Sequence, residues 1–123
     1  MANQSITALK LTAASASTDS GDLENISSVG ASIVIDITAI TGTTPTATFT
    51  VQGKDPVSGK YYTILASTAL NATGTTVLKI YPGLTVAANS VASDVLPRTF
   101  KVAVTIAGTT PAVTATVGVN THG

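Results

Sequence analysis

Few residues of this chain are of a type that could carry out catalysis. Nucleophilic catalysis requires a base beside the nucleophile, yet the one histidine is His122, next to the last residue, where chains usually fray. Glycoside hydrolysis requires two carboxylates across the scissile bond, and the acids here lie mostly in segments of loop composition. The sequence therefore predicts no catalytic residue, and we do not expect an enzyme. The carboxylates are those of Asp19, Asp22, Glu24, Asp36, Asp55 and Asp94.

Two segments resemble ligand-binding motifs only superficially. Residues 53–60 (GKDPVSGK) have five residues between the glycines instead of four, and Tyr61 follows where a Ser or Thr would reach magnesium. No helical pattern follows that segment, so a turn is the better interpretation. The oxygen-rich residues 19–22 could in principle hold calcium, but their spacing matches no ligand pattern. We therefore expect no metal and no cofactor.

The composition excludes several classes of partner. The chain has 123 residues, which indicates one domain, and 44% of them are hydrophobic. Six basic and six acidic residues give zero net charge, without the basic stripe that nucleic-acid binding requires. No apolar run approaches the roughly 20 residues of a membrane helix, and residues 1–17 lack the pattern of a signal peptide. We expect a protein made in the cytoplasm that binds neither nucleic acid nor membrane.

The chain repeats one pattern twice. Residues 37–51 (ITAITGTTPTATFTV) and 102–117 (VAVTIAGTTPAVTATV) are each built around the four residues GTTP, at 42–45 and 108–111. Gly and Pro between two β-branched runs are typical of a hairpin turn. We therefore expect two similar hairpins, the second formed by residues 99–107 and 112–119.

Alternating apolar residues predict the remaining strands and their buried faces. Residues 6–13, 31–40, 60–67 and 75–81 are expected strands, and residues 22–25 a single helical turn. Asp36 lies within an apolar strand; we expect it to point outward, with Arg98 or Lys101 as alternative partners. The expected stripes are Thr7, Leu9, Leu11 and Ala13; Ile33, Ile35, Ile37 and Ala39; Ala47, Phe49 and Val51; Phe100, Val102, Val104 and Ile106; Val113, Ala115, Val117 and Val119.

This pattern indicates an all-β protein: a single-domain antiparallel β-sandwich of about seven to eight strands, with jelly-roll or immunoglobulin-like topology. Residues 1–30 are a candidate extended arm or loop region of the same domain. Exposed tyrosine and arginine are favoured at interfaces. The candidate interaction residues are Tyr61, Tyr62, Tyr81 and Arg98. Because neighbouring strand residues point to opposite faces, either Tyr61 or Tyr62 can enter the core, and both being partly buried is the alternative.

Four segments in order carry a resemblance to a known family. They are D-I-T-A-I-T-G-T-T-P (36–45), K-Y-Y (60–62), L-P-R-T-F-K-V (96–102) and the second G-T-T-P (108–111). Over residues 33–119 the chain resembles small β-sandwich structural proteins of tailed-phage virions. The resemblance implies a role in the virion and no enzymatic activity, and it leaves the position in the particle open.

On this basis we expect a capsid decoration protein on the surface of the phage head, which binds and stabilises the assembled shell. Its expected partners are the major capsid protein, copies of itself, or both, with a trimer suggested by symmetry alone. The alternatives are a tail or fibre-associated structural protein and a carbohydrate-binding or adhesin module on the virion. A carbohydrate module requires an aromatic platform, and only 4% of the residues are aromatic.

Overall fold

The computed structural model describes residues 4–122, and these form strands and no helix. The expected helical turn at residues 22–25 is therefore wrong: Leu23 and Glu24 form a short strand paired with β8. The all-β prediction is confirmed. The eight strands are β1 (Ser5–Ala14), β2 (Thr18–Asp19), β3 (Leu23–Glu24), β4 (Gly30–Lys54), β5 (Tyr61–Ala66), β6 (Gly74–Ile80), β7 (Val91–Ala92) and β8 (Thr99–His122).

All eight strands belong to one hydrogen-bonded sheet. Its order is β1-β8-β4-β6-β7; β2 and β3 also pair with β8, and β5 also pairs with β4. Every pairing is antiparallel except that of β6 with β7, where Lys79 lies opposite Val91 in a parallel ladder. The expected purely antiparallel sheet is therefore wrong, because the connection 81–90 brings the chain back beside β6 in the same direction.

The two longest strands pair along their whole length. The ladder of β4 and β8 runs from Gly30 opposite His122 to Gly53 opposite Phe100. The GTTP motifs therefore do not close two separate hairpins, as the sequence suggested. They lie opposite one another in the middle of a single antiparallel ribbon, with Thr43 facing Thr109. We call this point the corner, and the ribbon segments on either side the first half (30–41 with 112–122) and the second half (46–54 with 99–107).

The corner has a local two-fold pseudosymmetry. Each motif is the counterpart of the other, and Thr43 pairs with its own counterpart, Thr109. On one side of this pair Ile40 faces Val113; on the other, their counterparts Ile106 and Ala47 face each other. Register shifts flank the Thr43–Thr109 pair, so each motif acts as a bulge that changes the direction of a continuous strand.

The corner requires glycine at two positions, and at each for two reasons: the backbone angle and the close approach of the opposite strand. Gly42 and Gly108 have φ of 124° and 116°, a region that other residues rarely adopt. A Cβ on Gly42 would lie 2.8 Å from the carbonyl oxygen of Thr110, and one on Gly108 would lie 2.8 Å from that of Thr44. Thr44 and Thr110 themselves have φ of 47° and 46°, which is strained for a β-branched residue.

The core consists of the inward faces of both halves, which contribute to one hydrophobic cluster. The predicted stripes are confirmed along most of the ribbon: Ile33, Phe49, Val102 and Val117, for example, are fully buried. The buried members are Ile33, Ile35, Ile37, Ala47, Phe49, Val51, Phe100, Val102, Val104, Val113, Ala115, Val117 and Val119, with Ile106 packed partly against them.

β-Bulges account for the positions at which the predicted buried residues are exposed in the structure. A register shift between Ile37 and Ala39 reverses the alternation, so Ala39 is exposed and Ile40 packs against the core. In β1, Leu9 and Leu11 are buried as expected, whereas shifts at both ends of that segment leave Thr7 and Ala13 exposed.

A buried asparagine joins the two ends of the ribbon that lie furthest from the corner. The Asn25 side chain donates to the carbonyl oxygens of Ser28 (2.7 Å) and Leu96 (3.0 Å) and accepts from the Ser28 amide (2.9 Å). Its own amide donates to the Arg98 carbonyl oxygen. Next to this loop, Val29 donates to the carbonyl oxygen of His122. The segment 25–29 therefore ties the end of the first half to the end of the second.

The expectation of a frayed His122 is wrong. His122 is the last residue of β8, pairs with Gly30 and places its Nε2 2.9 Å from the Oγ of Ser32. Asp36 points outward, as expected, and accepts a hydrogen bond from Thr75 at 3.4 Å rather than pairing with Arg98 or Lys101.

Candidate functional site

Charge is concentrated at the outer end of the second half, which we call the polar end. Eight of the twelve charged residues of the chain lie in three short segments that meet there. By contrast, residues 37–53 and 102–121 contain no Asp, Glu, Lys or Arg. The eight are Asp19, Asp22, Glu24, Lys54, Asp55, Lys60, Arg98 and Lys101.

The described residues make three ion pairs, and all lie at the polar end. Lys54 Nζ is 2.9 Å from Asp22 Oδ2, Arg98 Nη2 is 3.0 Å from Glu24 Oε1, and Lys101 Nζ is 3.2 Å from Asp19 Oδ2. In each pair, a residue in or beside β2 or β3 meets a residue in or directly beside the ribbon. The ion pairs therefore hold the short strands against the end of the sheet.

Tyr61 is at the centre of this network. Its hydroxyl donates to Asp22 Oδ1. The ammonium group of Lys101 lies 4.0 Å from the centre of its ring, and that of Lys54 lies 5.6 Å away. A cation over an aromatic face is attracted by the ring quadrupole. Tyr61 thereby links two of the three ion pairs into one cluster.

The cluster shifts the pKa of its members in the directions that stabilise it. The hydrogen bond from Tyr61, with that from Lys54, lowers the pKa of Asp22. The same Tyr61–Asp22 bond raises the pKa of Tyr61, and the bond to Asp22 raises that of Lys54. The backbone amide of Gly21, and then Lys101, lower the pKa of Asp19. The two aspartates therefore stay ionised while Tyr61 stays neutral.

Tyr62 lies on the other side of the same strand and forms part of a cleft. It faces Gly53 in the ladder, where a Cβ would lie 2.6 Å from its ring and 2.8 Å from Pro97. The glycine therefore leaves room for the ring to lie over the strand. The ring remains 48% exposed and lines a cleft of about 390 Å³ with Pro56 and Pro97.

Arg98 lines both this cleft and a second one. Its side chain is 79% exposed, and the second cleft has a volume of about 410 Å³. Lys54, Pro56 and Thr99 are also shared by the two clefts, and Asp22 and Glu24 line only the more polar one. Because they share these residues, the two clefts are neighbours on one surface.

The structure brings together three of the four predicted interaction residues. Tyr61, Tyr62 and Arg98 lie at the polar end, and neither tyrosine enters the core, since they are 38% and 48% exposed. Tyr81 lies elsewhere: it is half-buried beside Gly30, in a depression of about 230 Å³ that also contains Leu84.

The acids of residues 19–24 at the polar end are engaged in ion pairs. Asp19, Asp22 and Glu24 each have a cationic partner, and no group of three or more metal-ligating residues occurs within residues 4–122. Ser32 and His122 are in contact, but among the described residues no carboxylate is hydrogen-bonded to that imidazole to orient it, as a nucleophile–base pair would require. Within the described part of the chain there is also no helix that could span a membrane.

Sequence reasoning missed the acidic half of this surface. The loop composition around Asp19, Asp22 and Glu24 does not predict a partner for them, although each forms an ion pair with a cation in or directly beside the ribbon. The available signal was the clustering itself: an acidic segment at 19–24 and basic residues at 54 and 98–101, with uncharged stretches elsewhere.

No family model, no curated protein and no solved structure matches the chain.

Proposed function

We propose that this protein is a structural component of a tailed-phage virion, a capsid decoration protein that binds the assembled head and stabilises it by contact. The observation that carries the proposal is the polar end, an exposed surface of Tyr62, Arg98 and two prolines, with Tyr61 on the other side of the same strand and hydrogen-bonded to Asp22. Tyrosine and arginine are the residues that most often dominate binding energy at protein interfaces. The motif resemblance over residues 33–119 supports the virion setting.

We further propose that the two halves of the ribbon face one another as the layers of a β-sandwich. Their inward faces share one hydrophobic cluster, and the segment 25–29 ties together the ends that lie opposite the corner. Jelly-roll and immunoglobulin-like connectivities are the candidate arrangements. Such a closed body holds the polar end in a fixed shape, so that little conformational entropy is lost on docking.

The mechanism is multivalent binding. A single polar end presents a small surface, and its contact with one capsid subunit is expected to be weak. On a capsid, many copies bind equivalent positions, so that each copy bridging two subunits raises the stability of the shell. The major capsid protein is the proposed partner, alone or with further copies of this chain. The protein is made in the host cytoplasm and acts on the capsid surface.

The test measures binding to purified empty or expanded phage heads. We expect the wild-type protein to co-sediment with the heads and to raise the temperature at which the heads disassemble. Tyr62→Ala and Arg98→Ala should each weaken binding by about tenfold or more. Val86→Ala is the matched control, because Val86 is 66% exposed and lies outside the polar end.

Two outcomes would replace this function with another. Labelled protein located on the tail or a fibre, with bare heads, would favour the tail-associated role. Binding to glycans that is lost in Tyr62→Ala would favour the carbohydrate-binding or adhesin module. Absence of binding to heads, with no change in their thermal stability, would rule out decoration.

A further inference from the structure

A second exposed surface lies on the outer face of the first half. Its middle row crosses four neighbouring strands, with Thr7, Gly118, Val34 and Val77 directly opposite one another in register. Val77 is 40% exposed, and Thr7 is exposed as well. We call this surface the outer face; the row below it consists of Lys10, Thr116, Asp36 and Thr75.

The glycine in this row is not required by the fold of the chain itself. Gly118 does not have positive φ, and a Cβ placed on it would meet nothing within 4 Å. In the interior of a strand, glycine lowers stability relative to a residue with a side chain. It leaves a shallow hole in the surface, and Val34, its neighbour in the row, stands beside the hole as a knob.

The charges of the outer face are unpaired, unlike those of the polar end. Lys10 and Asp36 lie in the same row with Thr116 between them. Neither belongs to an ion pair among the described residues. Among the described residues, this surface therefore carries a cation and an anion that form no ion pair, although Asp36 accepts a hydrogen bond from Thr75. Opposite charges on one face allow the same surface of two identical chains to be self-complementary.

We propose that two copies of this chain pair through their outer faces about a two-fold axis that runs between β8 and β4, parallel to both. This axis places Val34 of each copy over Gly118 of the other, so that the knob fills the hole. It also places Lys10 of each copy over the Asp36–Thr75 neighbours of the other. The pairing is independent of capsid binding and goes beyond the proposed function.

The size of the surface predicts a weak interaction. Four strands about 4.8 Å apart and six residues of about 3.3 Å cover roughly 400 Å² on each copy. This is about half of the roughly 800 Å² per partner found in stable complexes. The pairing therefore forms at high concentration, as when copies are crowded together on one surface.

Charge reversal tests the geometry. Sedimentation equilibrium of the full chain, at concentrations up to about 1 mM, should show monomers and dimers. Asp36→Lys and Lys10→Asp should each weaken the dimer by about tenfold or more, because each replaces two ion pairs by like charges. The double variant, and an equimolar mixture of the two single variants, should restore the dimer, since both arrangements place opposite charges together.

A substitution at Gly118 tests whether Val34 of the other copy occupies the space above this glycine. Gly118→Tyr should abolish dimers without lowering the denaturant midpoint of the monomer, because a Cβ at this position meets nothing within 4 Å and the side chain can extend away from the sheet. Thr105→Tyr is the matched control, at an exposed position of the same strand in the second half, and should pair like the wild type.

Three results would overturn the pairing: a wild type that stays monomeric throughout, a mass that corresponds to the trimer suggested by symmetry, or a double variant no better than the single ones. Binding to phage heads is measured on the same samples. A monomeric wild type that binds heads refutes only the pairing, whereas a dimer that ignores heads refutes only decoration.

Discussion

The corner and the polar end are held by different kinds of interaction. At the corner, uncharged strands turn because Gly42 and Gly108 adopt backbone angles that other residues avoid. At the polar end, side chains hold the structure, through ion pairs and the buried Asn25. The second half of the ribbon is therefore held at its inner end by local backbone geometry and at its outer end by long-range polar contacts. The corner and the polar end should respond differently to substitution.

The largest effect is expected from a side chain at the corner. Gly42→Ala and Gly108→Ala should each lower the free energy of unfolding by about 3 kcal/mol or more, because a Cβ must adopt a disfavoured φ and also meets a carbonyl oxygen at 2.8 Å. Urea denaturation measures the change. Gly59→Ala is the control: its φ is 73°, but nothing lies within 4 Å of the new Cβ, so about 1 kcal/mol is expected. Similar losses at residues 42 and 59 would contradict the role assigned to the opposing strand.

The second-largest effect on stability is expected from removing the buried Asn25 side chain, which hydrogen-bonds the two outer ends of the ribbon together. Asn25→Ala should cost about 2–3 kcal/mol, because the Ser28 amide and the Ser28 and Leu96 carbonyl oxygens each lose a hydrogen bond in a buried site. The exposed Asn71→Ala is its control and should change stability by less than about 0.5 kcal/mol. If the two substitutions had equal effects, Asn25 would not join the two halves.

A smaller effect of opposite sign is expected from relieving strain at the corner. Thr44→Asn and Thr110→Asn should each raise the free energy of unfolding by about 0.5–1 kcal/mol, because asparagine tolerates the left-handed region better than a β-branched residue does. By pseudosymmetry the two gains should be nearly equal, and the double variant should show their sum. A loss at either position would mean that the threonine side chain stabilises the corner.

The smallest effect is expected from pH at the polar end. The depressed pKa values of Asp19 and Asp22 stabilise the fold above the ordinary aspartate pKa of about 3.9, and this contribution is lost as pH falls through the folded-state values. The raised pKa of Tyr61 stabilises below its ordinary value of about 10 and ceases to do so as pH rises through the folded-state value. Both effects should be modest, since the groups are exposed.

Paired denaturation curves of the wild type and Asp22→Asn across this pH range measure the acid effect, and Tyr61→Phe measures the alkaline one. The acid loss should be smaller in Asp22→Asn, and the alkaline loss should be smaller in Tyr61→Phe, in which the raised pKa of Lys54 still contributes. Gly42→Ala is the control, because its effect should not depend on pH. If the effect of Gly42→Ala on the free energy of unfolding varied with pH, charge would contribute to the corner as well as to the polar end.

The alternation of side chains was sufficient to predict the all-β class and most of the core. Ile33, Phe49, Val102 and Val117 lie where a period of two places them. Each error in this respect occurs at a bulge, such as that between Ile37 and Ala39, because one extra residue reverses the alternation without altering composition.

The pairing of the two GTTP motifs could not be predicted in the same way. Gly and Pro between β-branched runs specify a change of direction, but both a hairpin turn and a pair of opposed bulges satisfy that requirement. The choice depends on contacts between residues far apart in sequence, such as Thr43 with Thr109. The polar end was predicted in part: Tyr61, Tyr62 and Arg98 were found by residue type, whereas their acidic partners required knowledge of the pairing of β2 and β3 with β8.

The pairing of β4 with β8 also sets the order of events when the chain is made. Gly30 meets its ladder partner His122 only after residues 31–121 have been translated, and even Gly53 must wait for Phe100. Such distant contacts are entropically costly to form, so that folding is expected to be slow and to begin late. Until then, the apolar stripe of β4 leaves the ribosome without the strand that will cover its edge, and chaperones are expected to bind it during that interval.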